Sequence, residues 1–196
     1  MQKGKIKRIY LIGDVCSGKT TFIESIKDPK LKIVREDFWD NLTDEVKEDG
    51  FTRSMLFALY YSDRDTLNKN NNQISIFERH LEEEFIFADI LYKVGKINKK
   101  KRDIIKNWTK KLSKKNPITN NDLFIIMNCK SKQLVDRLFK RSGKMTSYKD
   151  KEWDFIRERT IKCFSKYKNV KLLDTTDLTK IQTKKKVMEI INQYVK

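Results

Sequence analysis

The chain has 196 residues, 38% hydrophobic and 36% charged, with 44 Lys and Arg against 27 Asp and Glu for a formal net charge of +17. That length suits one domain with a real core, in which roughly 70% of the unfolded surface leaves water. No stretch approaches the ~20 apolar residues of a membrane span, and the basic N-terminus runs into a short strand-like segment, not a signal peptide. The single histidine, His80, excludes a His-rich metal site, and Cys16, Cys129 and Cys163 are too scattered for a disulfide framework. Free thiols in a reducing compartment follow. The charge admits two readings, a nucleic-acid-binding face or the cations of a phosphate-handling enzyme set among solvated helices. The second is preferred, because no strand interleaves aromatic and basic residues and no recognition-helix pattern stands out.

In chain order, Ile6 and Ile9–Ile12 make an apolar run suited to a buried strand. Residues 13–20 read G-D-V-C-S-G-K-T and satisfy the phosphate-binding pattern G-x-x-x-x-G-K-[ST] at every fixed position. Phe22, Ile23 and Ile26 then recur at helical spacing. Strand, loop, helix is the arrangement in which backbone N–H groups wrap a phosphate. Gly13, Asp14, Val15, Cys16, Ser17 and Gly18, with Thr21 just beyond, are therefore candidate donor-nucleotide contacts. Lys19 is the candidate for the β- and γ-phosphates and Thr20 for Mg²⁺.

After Asp28-Pro29, Leu31–Val34 predicts a second strand ending at Arg35-Glu36-Asp37. Residues 52–64 predict a largely buried helix, and residues 73–77 a third strand ending in Glu78-Arg79-His80. Helical periods recur over 81–94 and over the basic segment 96–115. Residues 123–127 predict a fourth strand, 130–141 a helix stopped at Ser142-Gly143-Lys144, and 153–167 another helix. A fifth strand at 170–173 and a helix at 181–194 close the series. Strands alternating with helices imply an α/β fold of parallel βαβ units. No repeat or linker divides it, so residues 1–196 read as one domain.

Ligands of open α/β sheets bind at the carboxyl ends of strands. There Glu36 can orient or deprotonate an acceptor, Glu78 hold a metal, and Arg79 neutralise the transferring group. Arg137 and Arg141 lie four apart on one helical face, with Lys144 beyond a flexible Ser-Gly. This set reads as a basic lid over a triphosphate, at about residues 137–146.

The phosphate loop, Glu36 followed by Trp39, the stretch FERHLEEEFIFADILY from Phe77 to Tyr92, and the segment RLFKRSGK together resemble the deoxynucleoside kinase family of cellular deoxynucleoside kinases and viral thymidine kinases. The likeness runs from Lys5 to about Tyr167. It implies a five-stranded parallel sheet and an ATP- or other NTP-dependent, Mg²⁺-requiring enzyme of nucleotide salvage, usually dimeric and cytoplasmic (host cytoplasm for a viral chain). The resemblance makes Glu36 the base on the sugar 5′-hydroxyl, puts Lys19 and Arg79 on the phosphates, and sets Thr20 and Glu78 near Mg²⁺. Arg137 and Arg141 become lid contacts, Arg64 the base-recognising arginine, and Glu84 the acid near it. Trp39 and Phe57 fall among the substrate contacts.

Three positions depart from the family pattern. Phe57 stands where the family has a base-binding glutamine, Asp37 where it favours proline, and Lys144 where a lid arginine is usual. The nucleobase stays open. Arg35-Glu36-Asp37 and Glu78-Arg79-His80 also resemble motifs of thymidylate-kinase-type monophosphate kinases, whose anionic acceptor would draw on Arg35, Arg53 and Arg64. A P-loop protein acting on nucleic acid is the third reading, and the net charge is its only argument.

Overall fold

The computed structural model describes residues 6–68, 73–143 and 148–195. In chain order the elements are β1 (Arg8–Ile12), α1 (Lys19–Ser25), β2 (Leu31–Val34), a 3-10 turn (Phe38–Asn41), α2 (Asp44–Glu48), α3 (Gly50–Leu67) and β3 (Ile74–Glu78). There follow α4 (Glu83–Lys93), α5 (Lys99–Ser113), β4 (Asp122–Asn128), α6 (Ser131–Ser142), α7 (Asp150–Phe164), β5 (Val170–Asp174) and α8 (Lys180–Tyr194). By packing, the chain forms two compact units. One comprises Met1–Arg35, Gln73–Arg79 and Thr119–Lys196, and the other Glu36–Asn72 and His80–Ile118.

The first unit is built on the predicted sheet of five parallel strands, in the order β2-β3-β1-β4-β5. β1 is buried along its whole length, as a central parallel strand covered on both faces must be. Successive residues of a strand point to opposite faces. Ile9 and Leu11 accordingly share a core with Ile76, Ile125 and Met127 of the sheet, Phe22 and Ile23 of α1, and Val187 and Ile191 of α8. Tyr10 lies in register with Phe77 and Phe124, and its ring stacks on both, at centroid distances of 4.9 and 5.2 Å. Phe164 of α7 then packs on Phe124. Each such buried side chain contributes about 2–3 kcal/mol. Where the strands begin, Arg8 forms a two-pronged ion pair with Asp122, both contacts 2.6 Å.

In the second unit, α3, α4 and α5 bury Phe57, Ala58, Tyr61, Leu81 and Leu112 in one cluster and Ala88, Leu91, Ile97 and Ile105 in another. α3 begins two residues ahead of the sequence expectation because Asp49 caps it, accepting from the Phe51 N–H (3.1 Å) and the Thr52 hydroxyl (2.5 Å). α4 begins two residues late, since the Glu83 and Glu84 N–H groups are taken by turn bonds to the His80 and Leu81 carbonyls. Free cysteines are found at 16, 129 and 163. No helix among the described residues is long and apolar enough to cross a membrane.

Candidate functional site

In the first unit, β1 delivers the chain into the phosphate loop. Gly13 has φ +133°, and a Cβ there would stand 2.2 Å from the Met127 carbonyl oxygen of β4. No side chain fits between loop and strand. Gly18 enters α1 at φ +104°, a conformation side chains resist. Cys16 adopts φ +60° without being glycine, at a cost of about 1–2 kcal/mol. Asp14 and Ser17 are buried, while Val15, Cys16 and Thr21 are half-buried.

Lys19 is buried with its ammonium inside the loop, where Nζ donates to the Gly13 and Asp14 carbonyls at 2.7 Å each. Thr20 Oγ1 donates to Glu78 Oε1 at 2.5 Å. The last side chain of β3 and the first turn of α1 thus bring two hard oxygen ligands together, the donor type that suits Mg²⁺. Arg79 follows at φ +63°, and its N–H donates to the Leu11 carbonyl at 3.0 Å. A non-glycine residue held left-handed marks a position where the surrounding fold overrides local preference.

Arg137, half-buried on α6, donates from Nη1 to the Cys16 carbonyl (3.3 Å) and from Nη2 to the Thr175 and Thr176 carbonyls (2.7 and 3.0 Å). Arg141 is exposed in the last turn of α6. Lys144, and with it the outer part of the expected lid, lies outside the described residues.

Sequence reasoning passed over the segment Asp174-Thr175-Thr176 at the carboxyl end of β5. The Thr175 hydroxyl lies 3.0 Å from the Ser17 carbonyl and 2.8 Å from that of Asn128. Asp174 accepts from the Thr176 hydroxyl (2.6 Å) and N–H (2.9 Å). These bonds from Thr176, with Lys130 and Arg157 nearby, hold the Asp174 carboxyl below the usual carboxylate range. The one available signal was a run of small polar residues at a strand's carboxyl end, which many solvent-facing turns share.

The second unit carries the acceptor candidates. Glu36 is half-buried, and its Oε1 accepts from the Trp39 N–H at 3.2 Å. The exposed Trp39 ring lies 6.2 Å from Phe57, near parallel to it. Arg53 and Lys47 approach the same indole at 5.7 and 6.0 Å. Phe57 is buried, with Phe38 edge-on at 5.3 Å and Tyr61 at 5.5 Å. Arg64 is also buried; it pairs with Asp65 at 2.9 Å and stands 4.9 Å over the Tyr61 ring. Glu84 is buried in the first turn of α4. Tyr60 donates to Asp37 at 3.0 Å, and burial, with that hydrogen bond second, pushes its phenol up to about 12. Alongside, a cavity of about 500 Å³ opens among Phe38, Tyr60, Arg64 and the leucines of the outer face of α3.

A family description, "Deoxynucleoside kinase", matches residues 9–196. Comparison with curated protein sequences finds no match. Among solved structures, deoxyadenosine kinase from M. mycoides with the products dCMP and a flexible dCDP bound aligns at a TM-score of 0.75 and 18% identity, covering 95% of this chain and 99% of that one. The same enzyme with bound dCTP gives 0.73 and 19% over 95% and 99%. With bound dATP it gives 0.73 and 18% over 94% and 98%. At these identities the structural likeness speaks for the fold.

Proposed function

Because the chain belongs to the deoxynucleoside kinase family and is a phosphotransferase, we propose that it transfers the γ-phosphoryl of ATP, or of another NTP, to the 5′-hydroxyl of a deoxynucleoside in nucleotide salvage. The observation that carries this reading is the phosphate loop itself, with Lys19 bound inside it and Thr20 joined to Glu78. Lys19 and Arg79 stabilise the charge of the transferring group, and residues 13–21 with Arg137, Arg141 and Lys144 bind the donor. Thr20 and Glu78 would hold Mg²⁺, which supplies neutralising charge at the phosphate oxygens. Glu36 takes the hydroxyl proton, as a carboxylate base suited to an uncharged acceptor. Trp39 and Phe57 give the nucleobase an aromatic wall, and Arg64 with Glu84 supplies polar contacts.

The arginines favour this acceptor over a monophosphate, which would need free cations. Arg35 is paired with Glu24 at 2.8 Å, Arg64 with Asp65 at 2.9 Å, and Arg53 donates to the Lys47 carbonyl, so each of the three already has a partner. We further place the enzyme in the cytoplasm, in keeping with its free thiols, as a homodimer. Light scattering should return twice the protomer mass. The decisive experiment is transfer of labelled γ-phosphate from Mg-ATP to deoxynucleosides, deoxynucleoside monophosphates and a DNA oligonucleotide in parallel. Label is expected on a deoxynucleoside; label confined to a monophosphate or to DNA overturns the proposal.

A further inference from the structure

A phosphate loop works by turning successive N–H groups inward, which turns carbonyl groups outward. Buried or half-buried carbonyls need partners, or the loop settles into another conformation. Here four of the loop carbonyls have partners from side chains. The Gly13 and Asp14 carbonyls accept from the Lys19 ammonium inside the loop, while the Cys16 carbonyl accepts from Arg137 and the Ser17 carbonyl shares the single Thr175 hydroxyl proton with the Asn128 carbonyl. The two partners outside the loop are themselves tied together, because Arg137 also donates to the Thr175 and Thr176 carbonyls. Thr176 is held by Asp174, and its hydroxyl accepts from the Lys130 N–H at 3.0 Å. Thr175 is anchored on the end of β4, where its N–H reaches the Asn128 carbonyl at 2.7 Å.

We infer that Thr175 is a positioning residue for the donor phosphates, and that with Arg137 it forms a brace that fixes the Cys16 and Ser17 carbonyls and so holds the curvature of the loop around the phosphates. The inference rests on the donor-site reading above. It gives Arg137 a holding role that a mobile lid cation does not have. The left-handed backbone of Cys16 is where such a brace acts: the local turn that closes over it, from the Ser17 N–H to the Asp14 carbonyl, is long at 3.3 Å, and a side chain held left-handed costs energy that the brace offsets.

The test is binding of Mg-ATP and of inorganic tripolyphosphate, with no acceptor present, to the wild type and to Thr175→Val, Thr175→Ser and Arg137→Met. Thr175→Val keeps the side-chain shape and removes the hydroxyl. Loss of one loop anchor is expected to weaken both ligands by about tenfold. Thr175→Ser should restore the affinity, and the acceptor KM should stay unchanged. Arg137→Met, on the half-exposed helix, should weaken both ligands as well; because Arg137 also stands among the donor contacts, Thr175→Ala, which removes the same hydroxyl, serves if the valine variant does not fold. Wild-type affinity in Thr175→Val or in a folded Arg137→Met overturns the brace, as does a serine variant no better than valine. A wild type that binds ATP but phosphorylates no deoxynucleoside would sink the proposed function, and the brace would still be judged on the binding data.

Discussion

At the scale of single residues, the loop positions differ in what they tolerate. Gly13→Ala would force a methyl to within 2.2 Å of a main-chain oxygen on the next strand, so loop or strand must move. We expect a loss of about 2–3 kcal/mol, read as a fall in Tm of about 5–10 °C in a chain of this size. Glu36→Gln tests chemistry and not packing. Its amide oxygen can still accept from the Trp39 N–H, so the fold should hold while kcat drops about 10²-fold or more. Near-normal turnover would remove Glu36 from the mechanism. The residues of the loop were legible in the sequence because their chemistry is contiguous. Thr175 was not legible, because its function depends on an acceptor 158 residues away.

Among the elements, β1 and β4 carry the clearest energetic dependence. Their joined ends hold Arg8 and Asp122, nearly buried and paired through two contacts, and Asp122 also accepts from the Thr119 N–H at 2.6 Å. Asp122→Ala would leave a guanidinium buried without its carboxylate, at a cost of about 3–5 kcal/mol. Urea unfolding should show the midpoint falling with the slope unchanged. A shift under 1 kcal/mol would mean that solvent reaches Arg8. The periodicities of β1, α3 and α4 announced these elements. The first residues of α3 and α4 differ from expectation because capping by Asp49 and the turn at His80 depend on side-chain and backbone bonds that periodicity does not encode.

For the molecule as a whole, the net charge of +17 produces a field that draws in any polyanion at low salt. If the charge has no dedicated nucleic-acid site, DNA retained in a gel at low ionic strength should be released by about 0.2 M salt, without sequence preference. Retention at that salt, or competition by a deoxynucleoside, would point to a built site. Such a field is a property of composition, and the sequence alone determined it. The sequence also determined five strands, the phosphate-binding loop after the first, and family membership, since each of these is written in adjacent residues and in the period at which apolar side chains recur. Only the tertiary structure decided that the strands run in the order β2-β3-β1-β4-β5, that Arg79 turns left-handed as it leaves β3, and that Arg137 and Thr175 converge on the loop from 121 and 158 residues away. Those outcomes come from hydrogen bonds and close packing between distant segments, which exist only once the sheet has assembled.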